Sequence, residues 1–170
     1  MELPDPLEMD NPLWHFAKDF WRSTDVQDAC LSLQEQGWSV TRILCAGWLA
    51  LNGRSYTGHE GATVPEWRER VTGALRHARM SIPKNHSDCG TLRANIASLE
   101  LSAEQVELAL AWQTVVNRNP DHEIMQGFDV LVDQNLKAAA PAQGNIPGAM
   151  PLLNTLASAL AQFPRGDSRP

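Results

Sequence analysis

The chain has 170 residues, 43% of them apolar and 20% charged, with a formal net charge of −6 at pH 7. That is enough for one domain with a sizeable core, in proportions ordinary for a globular fold. An acidic chain lacks the basic surface that releases phosphate counterions, which disfavours nucleic acid, and no apolar run approaches the roughly 20 residues that span a bilayer.

The charge is unevenly spread. Residues 1–35 carry eight acids against two bases, and residues 94–136 carry seven acids against Arg118 alone. Residues 66–93 reverse the balance, with Arg68, Arg70, Arg76, Arg79, Lys84 and Arg93 against Glu66, Glu69 and Asp88. Cys30, Cys45 and Cys89 are an odd set without paired spacing. Two of them lie in apolar helix patterns, where a free thiol acts as a small hydrophobe. A reducing compartment and a cytoplasmic location are expected. The acidic start, with Pro4 and Pro6, has the character of neither a signal nor a transit peptide.

In chain order, residues 1–10 read as a flexible acidic arm, and residues 11–137 as a helical domain. Asn11 can cap a helix whose first position is Pro12, where a missing N–H costs nothing. Leu13, Phe16, Ala17 and Phe20 follow at helical spacing, with Trp14 and Trp21 widening the stripe. Thr24, with Gln27 as a capping-box partner, opens a second helix that buries Val26, Ala29, Cys30 and Leu33 and ends at Gly37. Ser39 caps a third, apolar nearly all round and bearing one charge, Arg42. Such a helix is contacted from several sides and marks the core.

Residues 52–62 are rich in turn residues and form a loop. Thr63 can cap a fourth helix with Trp67, Val71, Ala74, Leu75 and Ala78 inward, stopped by Pro83. A short fifth helix is expected over 90–100 with Leu92, Ile96 and Leu99 inward. Ser102 and Gln105 form a capping box for a sixth, which runs to a break at Asn117–Pro120. Asp121 can cap a seventh through Ile124, Phe128, Leu131 and Val132. Residues 138–151 read as a Pro/Gly/Ala linker, 152–163 as a short amphipathic helix that is detachable or docked, and 164–170 as a disordered tail. No strand alternation and no repeat is present. The fold class is all-α: a helical bundle of about seven helices.

The ordered set Leu13-Trp14, Phe16-Ala17, the aromatics at 20–21, Val26, Ala29-Cys30-Leu31, Leu33-Gln34, Gly37, Val40, Leu44 and Trp48 is distinctive as a combination. With Trp67, Val71, Leu75-Arg76, Arg79 and Lys84 it resembles a proteobacterial family of small helical proteins known only as a domain of unknown function, over about residues 11–100. The resemblance implies a helical fold in a Gram-negative cytoplasm and no activity. Pro83 before Lys84 departs from the family pattern.

The fourth helix carries the most suggestive chemistry. At 100° per residue, Arg68, Arg76 and Arg79 fall within about 80° of one another. With His77, Lys84 and His86 nearby, three guanidiniums on one strip could hold a phosphate, a carboxylate or an acidic partner. The bland alternative is that the acidic segments pack on them inside the domain. Tyr56, His59 and Glu60, in the glycine-rich loop 53–61, are polar groups that a ligand site could use, against a plain solvated turn. His77, His86 and Cys89 lack the spacing of a zinc site, so no metal and no cofactor is expected. Buried Cys30 and Cys45 should be inert thiols. Glu104 with Glu107 and Asp129 with Asp133 read as solvated acidic faces, since no Glu-x-x-His accompanies them. Of the six tryptophans, Trp38 at a helix junction is the one expected at the surface.

No constellation assembles nucleophile, base and stabiliser, so the reading leans away from an enzyme and assigns no catalytic residue. It favours a non-enzymatic adaptor or regulator that binds a protein partner through the Arg68/Arg76/Arg79 strip or the 152–163 helix. The alternative is a domain for a small anionic ligand held by the same arginines with loop 53–61. A homodimer is open.

Overall fold

The structure, a computed structural model, describes residues 1–117 and 126–165. Among these residues it is all-helical, without a strand. Seven helices follow in order: α1 (Pro12–Phe20), α2 (Thr24–Glu35), α3 (Val40–Leu51), α4 (63–81), α5 (Gly90–Val116), α6 (Phe128–Ala138) and α7 (Ile146–Ala161). The chain divides into two compact units, residues 1–14 with 60–114, and residues 15–59 with 115–170. α5 ends at Val116, where the break was expected, and α6 starts after Gly127 rather than from a cap at Asp121. Residues 118–120, Asp121 and most of the tail lie outside the described residues.

The second unit is built on α3, as its apolar pattern predicts. Eight of its twelve residues are buried, Thr41, Ile43, Leu44, Cys45, Ala46, Gly47, Leu49 and Ala50, so it is lined from nearly every side. α6 packs on α3, and α7 packs on α2 and α6. Gly47 is the contact point: a Cβ there would lie 3.1 Å from Leu160 Cδ2 and 3.3 Å from Phe16 Cζ. The C-terminal helix is therefore docked, with Ala149, Leu153, Leu156 and Leu160 buried. It is also longer than the composition suggests. Asn145 accepts a hydrogen bond from the Gly148 N–H at 3.1 Å and starts the helix inside the stretch read as a linker, as a capping side chain does. Pro147 lies in the first turn. The donor that Pro151 lacks would have met only the carbonyl of residue 147, so one bond is lost.

Local rules set most of the boundaries. Asn11 Oδ1 accepts from the Trp14 N–H at 2.8 Å, and Ser39 Oγ from the Arg42 N–H at 3.3 Å, each satisfying a donor that the first turn leaves open. The α2 cap is Ser23 rather than Thr24: its Oγ accepts from the Val26 N–H, while Gln27 donates to the Trp21 carbonyl. After α2, Gly37 takes φ +90°. The Gly37 N–H then reaches the Gln34 carbonyl and the Trp38 N–H the Leu33 carbonyl, both at 3.0 Å, a glycine-closed helix end. That closing turn folds Trp38 inward beside Leu33, leaving it 3% exposed, and corrects the expectation of a surface tryptophan. Gly53 ends α3 in the same way.

Two polar side chains tie loop 53–59 to the helices of this unit. Asn135, fully buried, accepts from the Tyr56 N–H at 2.8 Å and donates to the carbonyls of Ala46 and Arg54 at 3.2 and 2.9 Å. Arg42 donates to the carbonyls of Ala138 at 3.1 Å, Ala139 at 3.2 Å and Gly58 at 2.8 Å. A cation at the negative end of α6 satisfies carbonyls the helix cannot.

In the first unit the acidic arm is anchored rather than free. Glu8 accepts from Trp112 Nε1 at 2.9 Å, its carbonyl accepts from Asn11 at 2.7 Å, and the N-terminal ammonium lies 3.8 Å from Glu66. α4 comprises α-helical turns Thr63–Trp67 and Gly73–Ser81 around a π-helical turn, Arg68–Thr72. Its wide hydrogen bond runs from the Gly73 N–H to the Arg68 carbonyl. A Cβ on residue 73 would lie 2.8 Å from that oxygen, so the glycine permits the turn. The extra residue rotates everything after it. Val64 and Thr72 are buried, but Ala74 and Ala78 are exposed instead of inward, and Gly73–Ser81 has no buried residue. The helices expected at 90–100 and from 102 are one, α5, of 27 residues. Ser102 lies within it and bonds back to the Ser98 carbonyl at 3.2 Å instead of capping, the usual recourse of a serine inside a helix.

Candidate functional site

The arginine helix meets a matching row of carboxylates. Glu100, Glu104 and Glu107 stand at i, i+4 and i+7 on α5, hence on one face. Arg68 Nε is 2.8 Å from Glu107, and its two terminal nitrogens donate to Glu60. Arg76 donates to Glu100 and to Glu104, each at 2.9 Å, and Arg79 donates to both oxygens of Glu100 at 2.6 and 3.3 Å. The order 68–107, 76–104 and 79–100 makes α4 and α5 antiparallel. Arg93 closes the tip by donating to the carbonyls of Arg79 and Ile82 at the end of α4.

The inner end of this row is the more deeply buried. The side chains of Glu60 and Glu107 are 13% and 5% exposed, and that of Arg68 24%. Burial by itself would lower the Arg68 pKa, but the Glu60 hydrogen bond and the charges of Glu107 and Glu60 outweigh it and hold it above the usual arginine value. Burial likewise works to raise Glu100. The Arg79 hydrogen bond and the charges of Arg76 and Arg79 prevail, and its carboxyl stays below the ordinary range. Glu104 goes the other way: burial, with Glu100 and Glu107 as like-charged neighbours, raises it despite Arg76.

The sequence brings Arg68, Arg76 and Arg79 to one face, and the structure gives each a carboxylate. The signal for this was the 100/104/107 spacing opposite an arginine strip; Glu100 and Arg93 are participants the sequence did not single out, and Glu60, expected as a polar group of the loop, accepts from Arg68. Glu107, 3% exposed, is not part of a solvated face. His77 and Lys84 are exposed near the hairpin tip. Tyr56 and His59 belong to the second unit, Tyr56 buried at 6% exposure and His59 exposed. Cys30 is sealed in the apolar core, and burial pushes its thiol up to about 12, so it is no nucleophile at neutral pH. Among the described residues no group of three or more His, Cys, Asp or Glu side chains could hold a metal ion, and no helix is long and apolar enough to cross a membrane.

The hairpin also exposes large apolar side chains. Met80 is 68% exposed, and Leu92, Leu99 and Leu101 are 55%, 57% and 57% exposed. Leu92 and Leu99 were expected inward. They turn out because the face of α5 towards α4 is occupied there by Arg93 and Glu100, each one residue further along the helix. From Gly73 to Leu99 no side chain is buried, so ion pairs replace an apolar core in this outer half.

The family described as "Protein of unknown function (DUF2390)" matches residues 12–111, and the chain belongs to it. The match takes in α1 to α4 and most of α5, leaving α6 and α7 outside. No curated protein and no solved structure matches the chain.

Proposed function

We propose that this protein is a non-enzymatic protein-interaction module, an adaptor or regulator, whose contact surface is the apolar crest of the α4–α5 hairpin. The observation that carries this reading is the exposure of Leu92 and Leu99, two turns apart on one face of α5. Large apolar side chains grouped at the surface mark an interaction site more often than a solvated one. The arginines contribute as struts. An anion arriving at Arg76 or Arg79 would have to displace Glu100 or Glu104, so a small anionic ligand gains nothing from the geometry.

The test is affinity capture from the source organism's lysate with the full chain and with Leu92→Glu/Leu99→Glu. A set of proteins captured by the wild type and lost with the folded double variant supports the reading. Identical capture by both chains would overturn it.

A further inference from the structure

The outer half of α5 has an unusual surface. Between Arg93 and Glu100 the sequence is Ala-Asn-Ile-Ala-Ser-Leu, without a charge, and the two bounding charges are both turned to α4. Leu92, Ile96 and Leu99 follow at spacings of four and three, continued by Cys89 before and Ala103 after. That alternation is the seam of a coiled coil, on which a second helix would sit. Ala103 is buried at 5% exposure, Ile96 is half-buried, and Leu92 and Leu99 are open. The seam runs out of the core and onto the surface.

We infer that the occupant of this seam is a second copy of the same chain, lying antiparallel across it. The inference rests on the preceding reading that the crest is a contact surface. Charge decides among occupants. An anionic lipid surface is attracted by clustered Lys and Arg, and this face presents none. A charged amphipathic helix would leave its flanking charges without partners here, at a desolvation cost. A second copy brings the same uncharged face, so no charge is stranded and no like charges meet. Its order is also self-complementary. Antiparallel pairing about a two-fold axis between residues 95 and 96 sets Leu92 against Leu99 of the second copy, with the two Ile96 side chains adjacent across the axis, as an isologous contact allows. Asn95 and Ser98 supply an uncharged polar rim. A lasting dimer buries about 800 Å² per partner, more than a two-turn seam provides, so the pairing is reversible, with a dissociation constant of roughly micromolar or weaker.

The experiment is sedimentation velocity on the full chain from about 10 µM to about 500 µM, a range that brackets weak association. The expected result is a shift from one copy to two that is absent in Leu92→Glu/Leu99→Glu, whose circular dichroism matches the wild type because both side chains are already exposed. Orientation is read by mixing Leu92→Cys and Leu99→Cys chains, each also carrying Cys89→Ser, under mild oxidation. The antiparallel seam gives mainly the mixed disulfide, whereas a parallel one gives the two homogeneous products and overturns the proposal. A wild type that stays a single copy throughout also overturns it. If in that case the double variant still abolishes capture of another protein, the crest remains a contact surface and only the second copy falls. If capture is unchanged too, both readings fall.

Discussion

Replacing Arg68 with Met should be among the most damaging single changes in the first unit. The side chain is similar in length, so the perturbation is mainly the loss of charge, of its hydrogen bonds to Glu60 and of its ion pair with Glu107. Those carboxylates, 13% and 5% exposed, would then lose the guanidinium that lies between them. Removing one partner of a buried ion pair costs about 3–5 kcal/mol, against about 0–1 for an exposed pair. Against a domain stability of about 5–15 kcal/mol, the larger figure is a third or more of the total. Urea unfolding at pH 7, followed by circular dichroism, measures it. Adding Glu60→Gln and Glu107→Gln to the Arg68→Met chain should recover a substantial part, since the penalty is stranded charge and not lost volume. A loss under about 1 kcal/mol for Arg68→Met, the size of a surface pair, would refute the reasoning, as would a triple variant no more stable than the single one.

Other changes separate the remaining parts of the account. Asn135→Ala leaves the Tyr56 N–H and two carbonyls without their partner, and should cost about 2–4 kcal/mol by the same unfolding measurement. Gly58→Ala should be worse than an ordinary loop substitution, because φ is +78° and the added Cβ would fall 2.6 Å from the Ala138 carbonyl oxygen. A thermal melt unchanged from wild type would contradict this. Acidification should divide the two outer glutamates. Glu104 has its folded pKa raised, so the folded chain takes up that proton first and the group adds stability as pH falls below neutral. Glu100, lowered, loses its contribution as pH falls below the ordinary carboxylate range. Between pH 7 and 5, Glu104→Gln should therefore lose stability relative to wild type, whereas Glu100→Gln should resist further acidification better than wild type does.

The helical class and the central place of α3 were legible because periodicity and burial share one cause. Caps at Asn11 and Ser39 and the stop at Gly37 were legible because they are local. Trp38 was misjudged by treating a helix junction as surface, when the turn after Gly37 carries the second residue past the helix end back onto it. The break expected before Ser102 failed because a serine followed three residues later by glutamine also occurs inside helices, where the hydroxyl bonds to the preceding turn. The π turn at 68–72 had no legible sign beyond Gly73, and by shifting the register it spoiled the assignment of Ala74 and Ala78. The arginine strip was visible. Its partners were partly visible in the 100/104/107 spacing, but pairing them required knowing that α4 and α5 form one hairpin. Arg42 as a cap for α6 could not be read, because its carbonyl partners lie 96 and 97 residues away.

The outer half of the α4–α5 hairpin is held by ion pairs, and its leucines lie at the surface. Urea unfolding of Leu92→Ser/Leu99→Ser, at a concentration low enough to exclude association, tests it most directly. Stability should stay within about 0.5 kcal/mol of wild type per site, as for surface positions. A loss of about 2 kcal/mol or more per leucine, the cost of truncating a buried one, would show that these side chains belong to the core and contradict the claim.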